Sequence, residues 1–64
     1  MSLTKREVTV LMDAALGLTM EDTALFLGLS PQTIKFERMS IIKKLNASNT
    51  THAVYIAVKK GIIR

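Results

Sequence analysis

Residues 19–45 read TMEDTALFLGLSPQTIKFERMSIIKKL, and the punctuation inside this stretch decides the fold. Thr19 stands where a helix cap belongs, and Glu21 and Asp22 follow in the first turn, where the helix dipole favours acids. That helix runs over about residues 20–27 and stops at Gly28. Ser30-Pro31 then supplies a cap followed by proline at the first helical position, where its missing N–H does no harm. The next helix spans about residues 31–45. A brief helix joined to a longer one through "GLS" has the helix-turn-helix pattern, which an ordinary helical hairpin shares.

Upstream, "TKRE" at Thr4 to Glu7 is a capping box in which Glu7 reaches back to the cap. Val8, Leu11, Met12 and Ala15 follow at helical spacing, and Gly17 suits the left-handed residue past the end. This predicts a helix over about 5–16. Downstream, Ser48 is a candidate cap and Gly61 a candidate terminator for a helix over about 49–60. No stretch alternates with period two, so no sheet is expected. The expectation is an all-α, compact four-helix domain over 1–64, with a central helix-turn-helix and a C-terminal dimerisation helix.

Sixty-four residues hold one domain near the lower size limit for independent folding, and without cysteine no disulfide or thiolate metal site supports it. The lone His52 makes no metal cluster and reads as an exposed or capping residue. The acids are scattered, no Ser–His–acid set appears, and no glycine loop cradles phosphate, so neither an enzyme nor a cofactor is expected. Apolar residues make up 48% of the chain, more than so small a domain buries alone, which favours association. No apolar run approaches the roughly 18 residues of a membrane span. The N-terminus lacks the order of a signal peptide, so the expected location is the cytoplasm. The triplets "NAS" and "NTT" at Asn46 and Asn49 are then chance glycosylation matches.

Charge is unevenly placed. Residues 1–34 carry Lys5 and Arg6 against Glu7, Asp13, Glu21 and Asp22, a net −2. Residues 35–64 carry Lys35, Arg38, Lys43, Lys44, Lys59, Lys60 and Arg64 against Glu37, a net +6. A basic half suits a polyanionic partner, although a solvated charged face has the same composition.

At about 100° per residue, Ile34, Ile41 and Leu45 fall together as the buried stripe of the third helix. Gln32, Lys35, Phe36, Met39 and Lys43 gather in a sector on the far side, facing outward. Gln pairs with adenine, Lys donates to guanine, and Phe or Met contacts the thymine methyl, so Gln32, Lys35, Phe36 and Met39 are the base-reading candidates. Thr33, Arg38, Lys43 and Lys44 are the candidates for phosphate contacts. An exposed Phe–Met pair also fits a protein contact.

The fourth helix contains "AVYIAV" at Ala53 to Val58. Ala53, Ile56 and Ala57 suffice for the core, leaving Val54, Tyr55 and Val58 on a neighbouring face. Their reading is a two-fold dimer contact, the alternative being cover by the C-terminal "GIIR". Such a dimer sets two third helices roughly 34 Å apart, one turn of DNA.

Taken whole, the chain resembles the LuxR/GerE-type helix-turn-helix domain of bacterial transcription regulators. The matching residues are "LT.RE..VL" from Leu3 to Leu11, "GLT" from Gly17 to Thr19, Ala24, and Leu27-Gly28-Leu29-Ser30. "TIK" from Thr33 to Lys35, "I..KL" from Ile41 to Leu45, Ala53 and Gly61 complete the series. The resemblance implies that helices two and three form the DNA-binding pair and that helix four is the dimer contact. It gives Lys35 a base- or phosphate-contacting role and makes Phe36 and Met39 variable groove-facing positions. It assigns buried roles to Leu11, Ala24, Leu27, Ile34, Ile41 and Leu45.

Departures from the family pattern fall at Thr9, Met20, Thr23, Glu37 and Asn49. Glu37 and Asn49 take positive or proton-donating character away from the expected DNA backbone. If the chain is complete, no sensor domain precedes this one and regulation is by abundance, as in the stand-alone GerE type. Otherwise it is a domain of a larger regulator.

The expected function is a sequence-specific, dimeric transcription regulator on double-stranded DNA, with RNA polymerase a further partner of this class. The competing expectation is a protein-interaction module that pairs with, and blocks, a larger LuxR-type regulator.

Overall fold

The computed structural model describes residues 2–63 and contains four α-helices: α1 (Lys5–Ala15), α2 (Met20–Leu27), α3 (Pro31–Leu45) and α4 (Thr50–Lys59). Among the described residues there is no strand.

The helix ends lie where local chemistry puts them. Thr4 Oγ1 accepts from the Glu7 N–H, and a Glu7 carboxylate oxygen accepts from the Thr4 N–H, closing the first capping box. Thr19 and Asp22 form a second. Ser30 Oγ accepts from the Thr33 N–H, with Pro31 in the first turn of α3. Gly28 closes α2 at φ 70°, and the next amide, Leu29 N–H, donates to Ala24 O at 2.8 Å. Asn46 closes α3 in the same left-handed way at φ 54°, a conformation that Asn tolerates better than other side chains.

Two expectations on the helices need correction. The cap of α4 is Asn49, whose Oδ1 accepts from the His52 N–H at 2.8 Å, and Ser48 is not the cap. Ser48 instead donates its N–H to His52 Nδ1, so the histidine side chain also takes part in the cap. In α1, Met12 and Ala15 are exposed, while Val10 and Leu11 are buried. The inward face is turned by about 100° from the expected stripe. Glu7, a charged residue that is itself buried, shares the core face with Val10 and Leu11.

The core consists of Val10, Leu11, Ala24, Ile34, Ile41, Leu45, Ala53, Ala57 and Ile63. Of the positions assigned to the interior, Leu27 is only half-buried against this cluster. The third helix is the hub: it packs against α1, α2 and α4, whereas α2 and α4 make no contact with each other. Consequently three sides of α3 are held and one is left to solvent.

Candidate nucleic-acid interface

The solvent side of α3 carries the expected set. Ile34, Ile41 and Leu45 are buried, and Gln32, Lys35, Phe36, Met39 and Lys43 are all exposed. Phe36 and Met39 retain 59% and 53% of their accessible surface, high values for large apolar groups with no structural reason to face water. Thr33 is half-buried, its hydroxyl sharing a 3.0 Å hydrogen bond with Ser30 Oγ. The face is therefore cationic, amide-bearing and apolar at once.

Two side chains expected on phosphates are occupied elsewhere. Lys44 Nζ donates to Glu7 Oε1 at 2.7 Å, with only 23% of its side chain exposed. Arg38 is half-buried; its Nη2 donates to Leu18 O at 3.1 Å, and its Nε has no partner. Lys44 thus fastens α3 to α1, and Arg38 fastens α3 to the α1–α2 connection. Both are positioning residues for the helix that carries the exposed face.

Glu7 forms the centre of the first attachment. Its carboxylate accepts from the Thr4 N–H, the Ser40 hydroxyl at 2.9 Å and Lys44 Nζ. Burial pushes its pKa up. The hydrogen bonds from Lys44, Thr4 and Ser40, with the lysine charge, more than offset that and leave it at about 2. The carboxylate is therefore ionised in the folded protein at neutral pH.

The departures at Glu37 and Asn49 also acquire local roles. Glu37 turns to α1, where Arg6 Nε donates to Glu37 Oε1 at 2.9 Å. Asn49 caps α4. The acid is thus paired with a cation beside the exposed face.

On α4, Tyr55 and Val58 are exposed, with Tyr55 stacked on His52 at a ring separation of 6.5 Å. Val54, expected beside them, is half-buried and packs partly against the core. The described C-terminal Ile63 is buried in the core, and Ile62 is packed against it. Four further exposures were not anticipated: Leu16, Leu18 and the adjacent Leu25 and Phe26 of α2, the last two 85% and 80% exposed. No spacing rule marked the pair, because α2 is only two turns long and its apolar residues run consecutively from Ala24 to Leu27, which does not show which face is buried. No helix among the described residues is long and apolar enough to cross a membrane.

A short helix, a glycine-closed turn and a longer, three-sided helix with one exposed polar-apolar face define a helix-turn-helix domain. The model of the luxR family of bacterial regulatory proteins matches residues 1–57, and the chain belongs to that family. It is similar to the transcriptional regulatory protein YdfI of Bacillus subtilis (strain 168), with 46% identity over 95% of this chain and 29% of that protein. It is also similar to YvfU of the same organism, an uncharacterized transcriptional regulatory protein, with 49% identity over 95% of this chain and 30% of that one. The crystal structure of ChrA, a response regulator of a heme-sensing two-component system, superposes with a TM-score of 0.92 at 30% identity. That match covers 98% of this chain and 31% of ChrA. The chain thus spans under a third of the length of these relatives.

Proposed function

We propose that this domain binds double-stranded DNA in a sequence-specific way and regulates transcription as a two-fold dimer in the bacterial cytoplasm. The observation that carries the reading is the single free face of α3, bearing Gln32, Lys35, Phe36, Met39 and Lys43 on a helix anchored on its other sides. The N-terminal half of α3 enters the major groove. Gln32 and Lys35 donate to base edges, while Phe36 and Met39 meet thymine methyl groups. Thr33 and Lys43 contact phosphates at either end of the helix. Glu7 with Lys44, and Arg38 with Leu18 O, set the angle of the helix and touch no DNA.

Two-fold pairing uses the exposed Tyr55 and Val58 of α4, with the half-exposed edge of Val54 at their margin. It doubles the phosphate contacts and sets the reading helices one DNA turn apart. The same α4 surface supports a second reading, pairing with a larger member of the family to block it. Light scattering on the protein alone and mixed with such a member separates these uses of α4.

Fluorescence anisotropy with duplex DNA over a salt series tests the principal reading. Binding should weaken steeply as salt rises, and Lys35→Ala should weaken it about tenfold or more, the size of one good base contact. Absence of binding at low salt, or indifference to Lys35→Ala, contradicts it.

A further inference from the structure

Thr33, Glu37, Ser40 and Lys44 recur along α3 at intervals of three or four, so they form one row on the helix surface. Hydrogen bonds from this row show what it faces: Ser40 and Lys44 meet Glu7, and Glu37 meets Arg6. Consecutive residues of α1 therefore grip α3 one turn apart. The Glu7 contact is closed, because its carboxylate is buried and both of its oxygens accept from donors within the protein. The Arg6 contact is open. Arg6 keeps 53% of its side chain exposed and Glu37 keeps 20%, so the carboxylate is the more enclosed partner and the guanidinium the more solvated. Only Nε is engaged, and the two terminal amino groups of Arg6 have no hydrogen-bond partner among the described residues. The pair lies beside Phe36 in the chain and one turn along α3 from Thr33.

We propose that Glu37 is a positioning residue that holds Arg6 as a phosphate clamp at the edge of the DNA-reading face. This inference rests on the DNA-binding reading above. An arginine fixed through Nε presents its two amino groups together, the geometry that grips two phosphate oxygens at once. Glu37 stabilises the side chain in that orientation before DNA arrives, so less rotamer freedom is lost on binding. The acid on α3 then does not repel the backbone as an unpaired carboxylate would, because its charge is spent on a cation that is itself aimed at the backbone. Lysine at position 6 carries the charge but has no Nε–H to share with Glu37.

The test is a double-mutant cycle read by anisotropy across a salt series, with Lys35→Ala as the reference and thermal unfolding as the folding control. Arg6→Ala should lower the magnitude of the salt slope by about 1 per protomer, or about 2 for the bound dimer, and weaken binding at least about tenfold, as expected for one lost phosphate contact in each protomer. Arg6→Lys should restore the slope and only part of the affinity. Glu37→Ala alone should weaken binding or leave it level, whereas in the Arg6→Ala background it should tighten binding by removing an acid that has become unpaired. If Glu37→Ala tightens binding equally in both backgrounds, Glu37 is a simple repulsive charge and the inference is overturned. An unchanged slope in Arg6→Ala, with Lys35→Ala still defective, overturns the clamp and leaves the DNA-binding reading standing. A wild-type protein that binds no DNA overturns both.

Discussion

Arg6 and Glu7 are neighbours in the chain, and each pairs with a residue of opposite charge on α3, yet the two sites are built differently. Glu7 is buried, accepts three hydrogen bonds, one from its own helix cap and two from α3, and is held ionised by them. Arg6 makes one hydrogen bond at the surface and leaves two amino groups to water. A buried charge is tolerated only when its donors are complete, and removing a partner then leaves an uncompensated ion. An exposed pair gains little from its own attraction. The contrast separates a charge that holds the reading helix in place from one that remains available to a ligand.

The largest break in that contrast comes from Glu7→Ala. It strands Lys44 and Ser40 and should lower stability by about 3 kcal/mol. In a domain whose core supplies only about 3–5 kcal/mol, much of the protein then unfolds at room temperature, seen as loss of helical circular dichroism. Acid probes the same site more gently. The folded pKa of about 2 lies below the ordinary 4.5, so the stabilisation is complete above pH 4.5 and disappears as pH falls toward 2. Urea midpoints over that window should fall by the equivalent of up to roughly 3 kcal/mol. Glu7→Gln should flatten the dependence, and an unaltered profile in that variant would place the acid-sensitive group elsewhere.

Thr23 sharpens the comparison from the opposite side. Its hydroxyl is buried with no partner, so it has the burial of Glu7 without the donors and acceptors. Thr23→Val keeps the shape and should raise stability by about 1 kcal/mol, or a melting temperature several degrees higher. The smallest effect belongs to Arg6→Ala, which should shift the melting midpoint by the equivalent of less than about 0.5 kcal/mol, as exposed pairs do. A large loss there would mean that Arg6 is part of the scaffold.

Much of this architecture is local and so was legible in the chain itself. Thr4, Thr19, Ser30-Pro31 and Gly28 mark their helix ends through contacts within three or four residues, and the stripe of Ile34, Ile41 and Leu45 alone settles which face of α3 is free. The errors share a cause. Lys44 and Arg38 look like surface cations by spacing, but their partners lie 37 and 20 residues away. The capping role of Glu7 was legible, but its burial was not, because two of its three donors, Ser40 and Lys44, come from α3. Glu37 looked like an isolated acid because Arg6 is 31 residues distant. Leu25 and Phe26 are exposed on a two-turn helix with too few positions to define a stripe.

The central claim is that the free face of α3 is the surface that meets DNA. It is tested most directly by amide and methyl chemical-shift mapping of the 64-residue protein, titrated with a duplex recovered by selection from a random pool. Gln32, Lys35, Phe36, Met39 and Lys43 should show the largest perturbations, with Arg6 beside them and Leu25 and Phe26 silent. Perturbations confined to α2 or α4, with α3 unmoved, would contradict it.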